Sequence, residues 1–370
     1  MEKFEKEDTL IIKGLAIVIM IACHLFGRSQ AAWAFFDYYP SLMIDGKPLI
    51  TALVSAGCGK VCVDIFVILS GFGLNESFRN KYGNTTKLGV SAKYCAGKIL
   101  KLLMGFWCVF LVFGGIFTLA GKIDPVGIYG TGSAGVKNFI IDFLGLRDLL
   151  FEVTGGGTLN ATWWYMSAIL VFYLLFPLFR LLVKSRYRVL AFLALLLINI
   201  DAPSAAYRQF STGIFFYLSA FYLGMLCSEW NLFDKLKSLG KEHYHERLLC
   251  SIAAVILAHR FTYTDRYRGE LVLAAALFVM YFALFIEPGA VLHKNWSRKI
   301  LAVLGKHSGN IFMFHTFFLL KCQNFTYYLR NPLLILLHFI LSMTLISMVF
   351  EFVKTKLGYY RLEKKLSGLF

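Results

Sequence analysis

Apolar runs long enough to cross a bilayer recur along this chain from near residue 9 to near residue 353, with short basic segments between them. Residues of the types AVILMFWYC fill 58% of the positions and charged residues fill only 16%, which is more apolar surface than a water-soluble core absorbs. Inside a bilayer the backbone must satisfy its own hydrogen bonds, so repeated runs of this kind predict helices. We therefore predict an all-α integral membrane protein in which residues 1–370 form a single domain.

At about 17 to 25 residues per crossing, the apolar runs predict a bundle of about ten transmembrane helices. The predicted spans lie near residues 9–26, 58–78, 98–120, 162–183, 187–201, 209–229, 249–260, 270–287, 299–320 and 332–353. Two of these spans, 187–201 and 249–260, are short. The apolar stretch 49–57 is a candidate half-helix that leads into the second span.

The distribution of positive charge indicates the orientation. With the N-terminus inside, most of the 38 Lys and Arg residues fall in segments that would be cytoplasmic. This bias predicts a plasma membrane protein with both termini cytoplasmic and an even number of crossings. The net charge of +16 is therefore a topological signal, and no nucleic acid partner is predicted, because the basic residues form short clusters between apolar runs. The largest predicted outside loop, 121–161, is rich in glycine and carries acidic residues, as a surface that faces sugars would.

The eight cysteines lie mostly in or beside apolar runs, which is typical of small buried thiols. Cys58 and Cys62 would share a helix face, but no histidine or second cysteine pair accompanies them with the spacing of a zinc site. We therefore predict no metal site.

Ionisable residues inside membrane spans are costly, so the search for function begins with them. Lys13 and His24 both lie in the first predicted span. They are about three helical turns and about 16 Å apart, which places them on one helix face, Lys13 in the inner third and His24 in the outer third. The simpler reading is that Lys13 extends its ammonium group to the membrane surface and that His24 only forms an interhelical hydrogen bond.

The second predicted span carries another ionisable group near its start. Asp64 would enter the membrane at a depth similar to that of His24, and Ser70 follows more deeply. A carboxylate beside an imidazole fixes its tautomer and raises its basicity, which makes the histidine a general base toward a hydroxyl group. The alternative is that Asp64 only neutralises Lys60, one helical turn away.

Two segments near the N-terminus carry a family resemblance. The segment from Lys13 to His24 reads Lys-Gly-Leu-Ala-Ile-Val-Ile-Met-Ile-Ala-Cys-His. It resembles the first-helix motif of the acyltransferase 3 family, in which a basic residue is followed after ten positions by histidine. The segment from Val63 to Phe72 is similar to that family's Val-Asp-x-Phe-Phe-x-x-Ser-Gly-Phe pattern.

Later segments extend the resemblance from residue 8 to about residue 320 in the family's order. They are Lys98 with Lys101, where the family has paired arginines, the stretch 164–177, and the stretch 304–315. The chain also departs from the pattern. Lys13 stands where arginine is usual, which keeps the charge but loses the planar guanidinium that binds a phosphate through two hydrogen bonds. Ile169 stands where many members have glutamate, which makes the chain look closer to the polysaccharide and common-antigen branches.

The resemblance implies an O-acyltransferase that moves an acyl group, with acetyl expected, from cytoplasmic acetyl-CoA or another acyl-CoA to a hydroxyl of a cell-surface carbohydrate or glycolipid. It implies that His24 takes the proton of this hydroxyl or carries the acyl group itself, with Asp64 orienting the imidazole and Lys13 along the path of the donor. The other implied site residues are Lys98, Lys101, Arg79 and Ser70 for the coenzyme, and Trp164, Tyr173 and His315 for the acceptor.

Other readings stay open. A transporter or flippase for a lipid-linked saccharide would also place His, Asp and Lys inside the membrane, although no inverted repeat is visible. A non-catalytic scaffold would give no reason for a basic residue and a histidine on one helix face. Lys98 and Lys101 would otherwise serve as topological anchors, and Trp164 would belong to an interfacial aromatic belt. The identities of the acyl group and of the acceptor, and a homo-oligomeric state, stay open too.

Overall fold

The computed structural model describes residues 2–27, 43–44, 47–48, 60–150, 157–198, 214–239, 242–262, 266–329 and 331–369. Within these ranges the chain is almost entirely helical. The only strands there are β1 (Met43–Ile44) and β2 (Lys47–Pro48), an antiparallel pair in which Ile44 lies opposite Lys47. The predicted all-α class is therefore confirmed. The candidate half-helix 49–57 and Cys58 lie outside the described residues.

The longer helices coincide with the predicted apolar runs, and several short helices lie between or after them. In chain order the described α-helices are α1 (Lys6–Phe26), α2 (Val61–Tyr82), α3 (Leu88–Leu119), α4 (Pro125–Tyr129), α5 (Gly132–Phe143), α6 (Trp164–Lys184), α7 (Arg188–Ile198), α8 (Leu218–Glu229), α9 (Leu232–Lys237), α10 (Tyr244–Phe261), α11 (Arg266–Tyr281), α12 (Asn295–Lys321), α13 (Gln323–Tyr327), α14 (Pro332–Lys356) and α15 (Tyr359–Ser367). Short 3₁₀ turns precede α6 and α8, and a π-helical turn, Phe282–Ile286, continues α11.

Some of these helices are long and apolar enough to cross a membrane. Among the described residues there are six: Lys6–Phe26, Val61–Tyr82, Leu88–Leu119, Ala161–Lys184, Arg268–Ile286 and Pro332–Lys356. The predicted count of about ten is not confirmed. The four remaining predicted spans hold helices α7, α8, α10 and α12, which do not meet the same criteria. The helix α7, for example, is about 16 Å long, roughly half the thickness of a bilayer core.

Contacts divide the chain into two compact units. Unit 1 comprises residues 1–76, 223–311 and 323–347. Unit 2 comprises residues 77–222, 312–322 and 348–370. The single domain expected from the sequence stays a prediction.

In unit 1, α1 and α12 cross at two glycines. A side-chain carbon added at Gly14 would overlap the carbonyl oxygen of Leu301, and one added at Gly305 would overlap that of Leu10. The lack of side chains therefore lets the two backbones touch, which is how membrane helices gain packing energy where lipid gives no hydrophobic drive to associate. Because Gly14 follows Lys13 directly, part of the first-helix motif has a packing role.

Gly14→Ala and Gly305→Ala are each expected to destabilise the protein by about 1 to 3 kcal/mol, because the added methyl group forces two helices apart. The measurement is the midpoint of thermal unfolding of the purified protein in detergent. Gly73→Ala is the matched control, since no atom of the described residues lies within 4 Å of a side-chain carbon added there. A midpoint for Gly14→Ala equal to that of the control would contradict the close crossing.

The start of α1 is fixed by Asp8, a fully buried carboxylate. Its two oxygens accept hydrogen bonds from Lys237 at 2.7 Å and from Arg298 at 3.1 Å, and it forms a capping box with Glu5. The starts of α1 and α12 and the end of α9 therefore lie at one end of unit 1. The segments that meet here are all among those expected to be cytoplasmic; the side of the membrane that they face stays a prediction.

In unit 2, basic residues of α6 hold the end of α2. Arg180 is fully buried and donates a hydrogen bond to the carbonyl of Gly83 at 3.2 Å. Lys184 donates to the side chain of Asn84 at 2.7 Å. Gly83 has a φ of +66°, the left-handed conformation that commonly ends a helix. The positive charges therefore lie where the dipole of α2 favours them.

Candidate functional site

His24 and Lys13 lie in α1, which is unbroken between them and belongs to unit 1. Both side chains are partly buried. Helix geometry puts them on one face, about 16 Å apart along the axis. The end of the helix beside His24 is fixed, because Tyr327 of α13 donates a hydrogen bond to the carbonyl of Leu25 at 3.1 Å.

Asp64 lies in the first turn of α2 and is 3% exposed. Its Oδ2 atom has no hydrogen-bond partner among the described residues. The carboxyl group is within electrostatic range of Lys60 and Glu270. A buried carboxylate oxygen without a donor is costly, so this atom is a candidate for contact with a proton donor that a ligand or a rotated side chain supplies.

Glu270 is a candidate site residue that the sequence pattern does not single out. It lies one turn inside α11 and is 1% exposed. Cys62 of α2 is within electrostatic range of Glu270 and of Cys23, the neighbour of His24 in α1. The end of α1, the start of α2 and the start of α11 therefore meet at one end of unit 1. The predicted span 270–287 begins at Glu270, whereas α11 begins one turn earlier, at Arg266.

Ser70 has a partner within its own helix. Its hydroxyl donates to the carbonyl of Phe66 at 2.8 Å, a common bond for a serine in a helix. In this conformation the hydroxyl has no proton left for a phosphate. The helix α8 approaches this part of α2 closely, because a side-chain carbon at Gly224 would overlap the carbonyl oxygen of Ile68. The Ser-Gly-Phe segment therefore has a packing role, and contact between Ser70 and a coenzyme stays a prediction.

The basic residues expected to bind the coenzyme lie in unit 2. Lys98 is partly buried, with its Nζ atom 3.5 Å from the hydroxyl of Ser77. Lys101 forms an ion pair of 2.8 Å with Glu363 of α15, and its side chain is 45% exposed. Arg79, near the end of α2, is partly buried. A phosphate group would have to displace Glu363 from Lys101, whereas Lys98 contacts a neutral hydroxyl.

Two residues expected to contact the acceptor, Trp164 and His315, also belong to unit 2. Trp164, at the start of α6, packs against Tyr217 with ring centroids 5.7 Å apart. His315 in α12 is fully buried, and its Nδ1 atom lies 3.0 Å from the carbonyl oxygen of Phe312. Because a carbonyl only accepts, Nδ1 is the donor, which makes Nε2 the accepting nitrogen of the neutral ring.

The third, Tyr173, lies one turn before Pro177 within α6. Proline has no N–H group, so the carbonyl of Tyr173 lacks its usual helical donor. The ring of Tyr173 is 6.5 Å from that of Phe221, which is a loose contact.

Asn160 also has a role that the sequence pattern does not single out, because it joins α6 to α12 within unit 2. Its Oδ1 atom accepts from the hydroxyl of Thr316 at 2.6 Å and from the backbone N–H of Thr162 at 3.0 Å. Its Nδ2 atom and the indole N–H of Trp163 donate to the carbonyl of Met313, at 3.0 and 2.9 Å. The network therefore attaches the start of α6 to Thr316, the residue that follows His315 in α12. The sequence signal for Asn160 is only that of a helix cap.

The arrangement in unit 1 has the elements of general base chemistry. A histidine at the end of one helix can accept a proton from a hydroxyl, and a buried carboxylate at the same end of the unit can stabilise the resulting positive charge. Because no hydrogen-bond donor among the described residues reaches Asp64 Oδ2, such stabilisation would act through space or after a side chain rotates. In the part of the chain that the structure describes, no group of three or more His, Cys, Asp and Glu residues could hold a metal ion.

Comparison with models of known protein families matches residues 11–352 to the acyltransferase 3 model, which is described as an acyltransferase domain. The matched range covers most of the chain and contains every candidate residue from Lys13 to His315. Comparisons with curated proteins and with solved structures give no significant match.

Proposed function

Because the chain belongs to the acyltransferase 3 family, we propose that it is a membrane O-acyltransferase. Its donor is a cytoplasmic acyl-CoA, acetyl-CoA first of all, and its acceptor is a hydroxyl group of a cell-surface carbohydrate or glycolipid. One observation carries this proposal. His24 lies at the end of α1, and the start of α2 brings to the same end of unit 1 a buried carboxylate, Asp64, with one oxygen that accepts no hydrogen bond from the described residues.

In the proposed reaction, His24 takes the proton of the acceptor hydroxyl while the hydroxyl oxygen attacks the carbonyl carbon of the thioester. The new carbon–oxygen bond forms, the carbon–sulfur bond breaks, and His24 returns the proton to the departing thiolate of coenzyme A. Asp64 stabilises the imidazolium that exists between these two proton transfers. The burial of the surrounding side chains supports transfer over hydrolysis, because water in the site would consume the thioester.

Lys98 is a better candidate than Lys101 for binding the phosphate groups of a coenzyme A donor. A lysine binds phosphate as a point charge, and Lys98 contacts the neutral hydroxyl of Ser77 and forms no ion pair with the described residues. Lys101 would have to leave Glu363. Lys13 adds a positive charge on the same face of α1 as His24, where the donor would pass. The proposed orientation, with both termini in the cytoplasm of a plasma membrane protein, puts all these basic groups on the donor's side.

The purified protein in liposomes is expected to release free coenzyme A thiol from acetyl-CoA only when a glycolipid or carbohydrate acceptor is present, since the acyl group needs a hydroxyl to receive it. A thiol reagent measures the release, and mass spectrometry measures an equal amount of acceptor that has gained one acetyl group. A parallel reaction with succinyl-CoA tests the identity of the acyl group.

The alternative function gives a different result in the same liposomes. Buried ionisable residues inside membrane helices, such as Asp64 and Glu270, also suit a substrate pathway. A flippase would move an unmodified lipid-linked saccharide across the bilayer without thiol release. That outcome, with no acylated product, would contradict the proposed enzymatic activity.

A further inference from the structure

The helix α15 contacts the charged ends of two membrane-spanning helices in unit 2. Lys101 of α3 forms an ion pair of 2.8 Å with Glu363 of α15, and the 18 residues of α3 that follow Lys101 carry no charge. In α14 the first charged residues after the apolar run are Glu351 and Lys354. An uncharged helical run of this length is about as long as a bilayer core is thick, so these residues mark a membrane boundary. The helix α15 therefore lies at that boundary.

The turn between α14 and α15 is held by side chains of both helices. Gly358, which has a φ of +74°, provides the left-handed conformation of this turn. The Nζ atom of Lys354 lies 2.8 Å from the carboxylate of Glu351 and 4.4 Å from the centre of the Tyr359 ring. The hydroxyl of Tyr360 donates a hydrogen bond to the same carboxylate. Together with the ion pair between α15 and α3, these contacts hold α15 against the ends of α3 and α14.

The charges of α15 are separated by face. Its one acidic residue, Glu363, is turned toward α3 and is paired with Lys101. The three basic residues, Arg361, Lys364 and Lys365, fall within an arc of about 100° around the helix and are all exposed. None of them forms an ion pair with a residue that the structure describes. The face of α15 that does not contact α3 is therefore cationic.

A stripe of leucines borders this cationic face. Leu362, Leu366 and Leu369 follow one another at four and three residues, which places them on one side of the helix. Leu362 is 52% exposed, Leu369 is 69% exposed, and Leu366 is half-buried. Leu357, just before the turn, is 80% exposed. Exposed leucines beside basic residues are typical of a helix that lies in the membrane interface.

We propose that α15 docks on the membrane surface and that its cationic face binds the headgroups of anionic phospholipids. Position and charge select this partner. The contacts with Lys101 and Lys354 put α15 at the level of the headgroups, where the acyl chains can cover the leucines. Unpaired basic residues at that level attract anionic headgroups, whereas zwitterionic headgroups carry no net charge. The proposed docking does not depend on acyl transfer.

The test measures hydrogen exchange of the backbone amides of residues 360–368 in the full-length protein by mass spectrometry. The protein is placed in nanodiscs of phosphatidylcholine alone and in nanodiscs that also contain phosphatidylglycerol. We expect slower exchange with phosphatidylglycerol, because docking opposes the opening of α15. The double variant Lys364→Gln, Lys365→Gln should exchange about 25-fold faster than the wild type in these nanodiscs, about fivefold for each basic residue lost from an anionic surface.

Two comparisons separate headgroup binding from the stability of the helix itself. The double variant should exchange like the wild type in phosphatidylcholine alone, where its lysines have no anionic partner. Lys87→Gln combined with Lys93→Gln is the matched control, since it removes two exposed charges at the start of α3. This control should leave the exchange of residues 360–368 unchanged in both kinds of nanodisc.

The leucine stripe and the lipid charge give distinct readouts. Leu362→Ser combined with Leu369→Ser should speed exchange in both kinds of nanodisc, because the acyl chains that cover the leucines are the same. Wild-type exchange that does not depend on phosphatidylglycerol would overturn the proposal. Slow exchange that appears only when a nanodisc holds two copies of the protein would also overturn it, and would assign this face of α15 to a second copy of the chain.

Discussion

Replacement of His24 by alanine is expected to lower kcat for acyl transfer by about 10²- to 10⁴-fold, the range that a positioned general base contributes. The variant should remain folded, because His24 is only partly buried and the end of α1 is held through the carbonyl of Leu25 by Tyr327. The rates are measured as thiol release from acetyl-CoA in liposomes, with the thermal midpoint of the variant measured alongside.

Two further variants separate catalysis from packing. Glutamine keeps a hydrogen-bonding side chain but cannot take up a proton, so His24→Gln should be as inactive as His24→Ala. His338→Ala is the matched control, because His338 is another histidine of a membrane-spanning helix and packs against the rings of Phe325 and Tyr328. It should keep the wild-type rate. A wild-type kcat for His24→Gln would show that the imidazole is not the base.

The first helix shows which features a sequence determines well. An apolar run that contains only two ionisable groups predicts one helix with one polar face, because helix geometry fixes the direction of every side chain. The observed α1 begins somewhat before the predicted span, since Glu5 and Asp8 form a capping box in front of the apolar run. A helix cap of this kind can be predicted from the local sequence without knowledge of the fold.

Contacts between distant segments are harder to predict from the sequence. A glycine in an apolar helix predicts a close approach, but nothing in the sequence tells that Gly14 meets the backbone of α12 and that Gly305 meets that of α1. The same holds for Asn160, whose bonds to Met313 and Thr316 depend on a helix far away in the chain. The charge pattern assigned residues 121–161 to an outside loop, whereas α5, which belongs to that segment, packs along the helix α3.

The span count differs from the prediction for a physical reason that α12 illustrates. This helix is long, but His307 and Asn310 lower its hydropathy. Within unit 1 both residues form hydrogen bonds with Ser347 of α14, at 2.8 and 3.0 Å. Polar side chains that are satisfied by a neighbouring helix can be buried in a membrane protein. Hydropathy alone therefore cannot decide whether such a helix crosses the membrane.

Asp64→Asn is expected to lower kcat by about 10- to 10³-fold, because a neighbouring opposite charge changes the proton affinity of a buried group by about one to three powers of ten. The loss should appear mainly in kcat and less in KM, since in the proposed reaction the carboxylate stabilises the charged imidazole and does not contact the donor. The measurement is again thiol release in liposomes, with the thermal midpoint recorded for each variant.

Glu270→Gln is the matched comparison, since both variants replace one carboxylate oxygen by an amide nitrogen. Asp64 and Glu270 are buried within electrostatic range of each other, and two such carboxyl groups cannot both be ionised at low cost. If Asp64 is the ionised member, Glu270 contributes no charge and Glu270→Gln should leave kcat almost unchanged. The reverse pattern would assign the supporting charge to Glu270. Wild-type rates for both variants would contradict a carboxylate role, and His24 would then have to work without a charged partner.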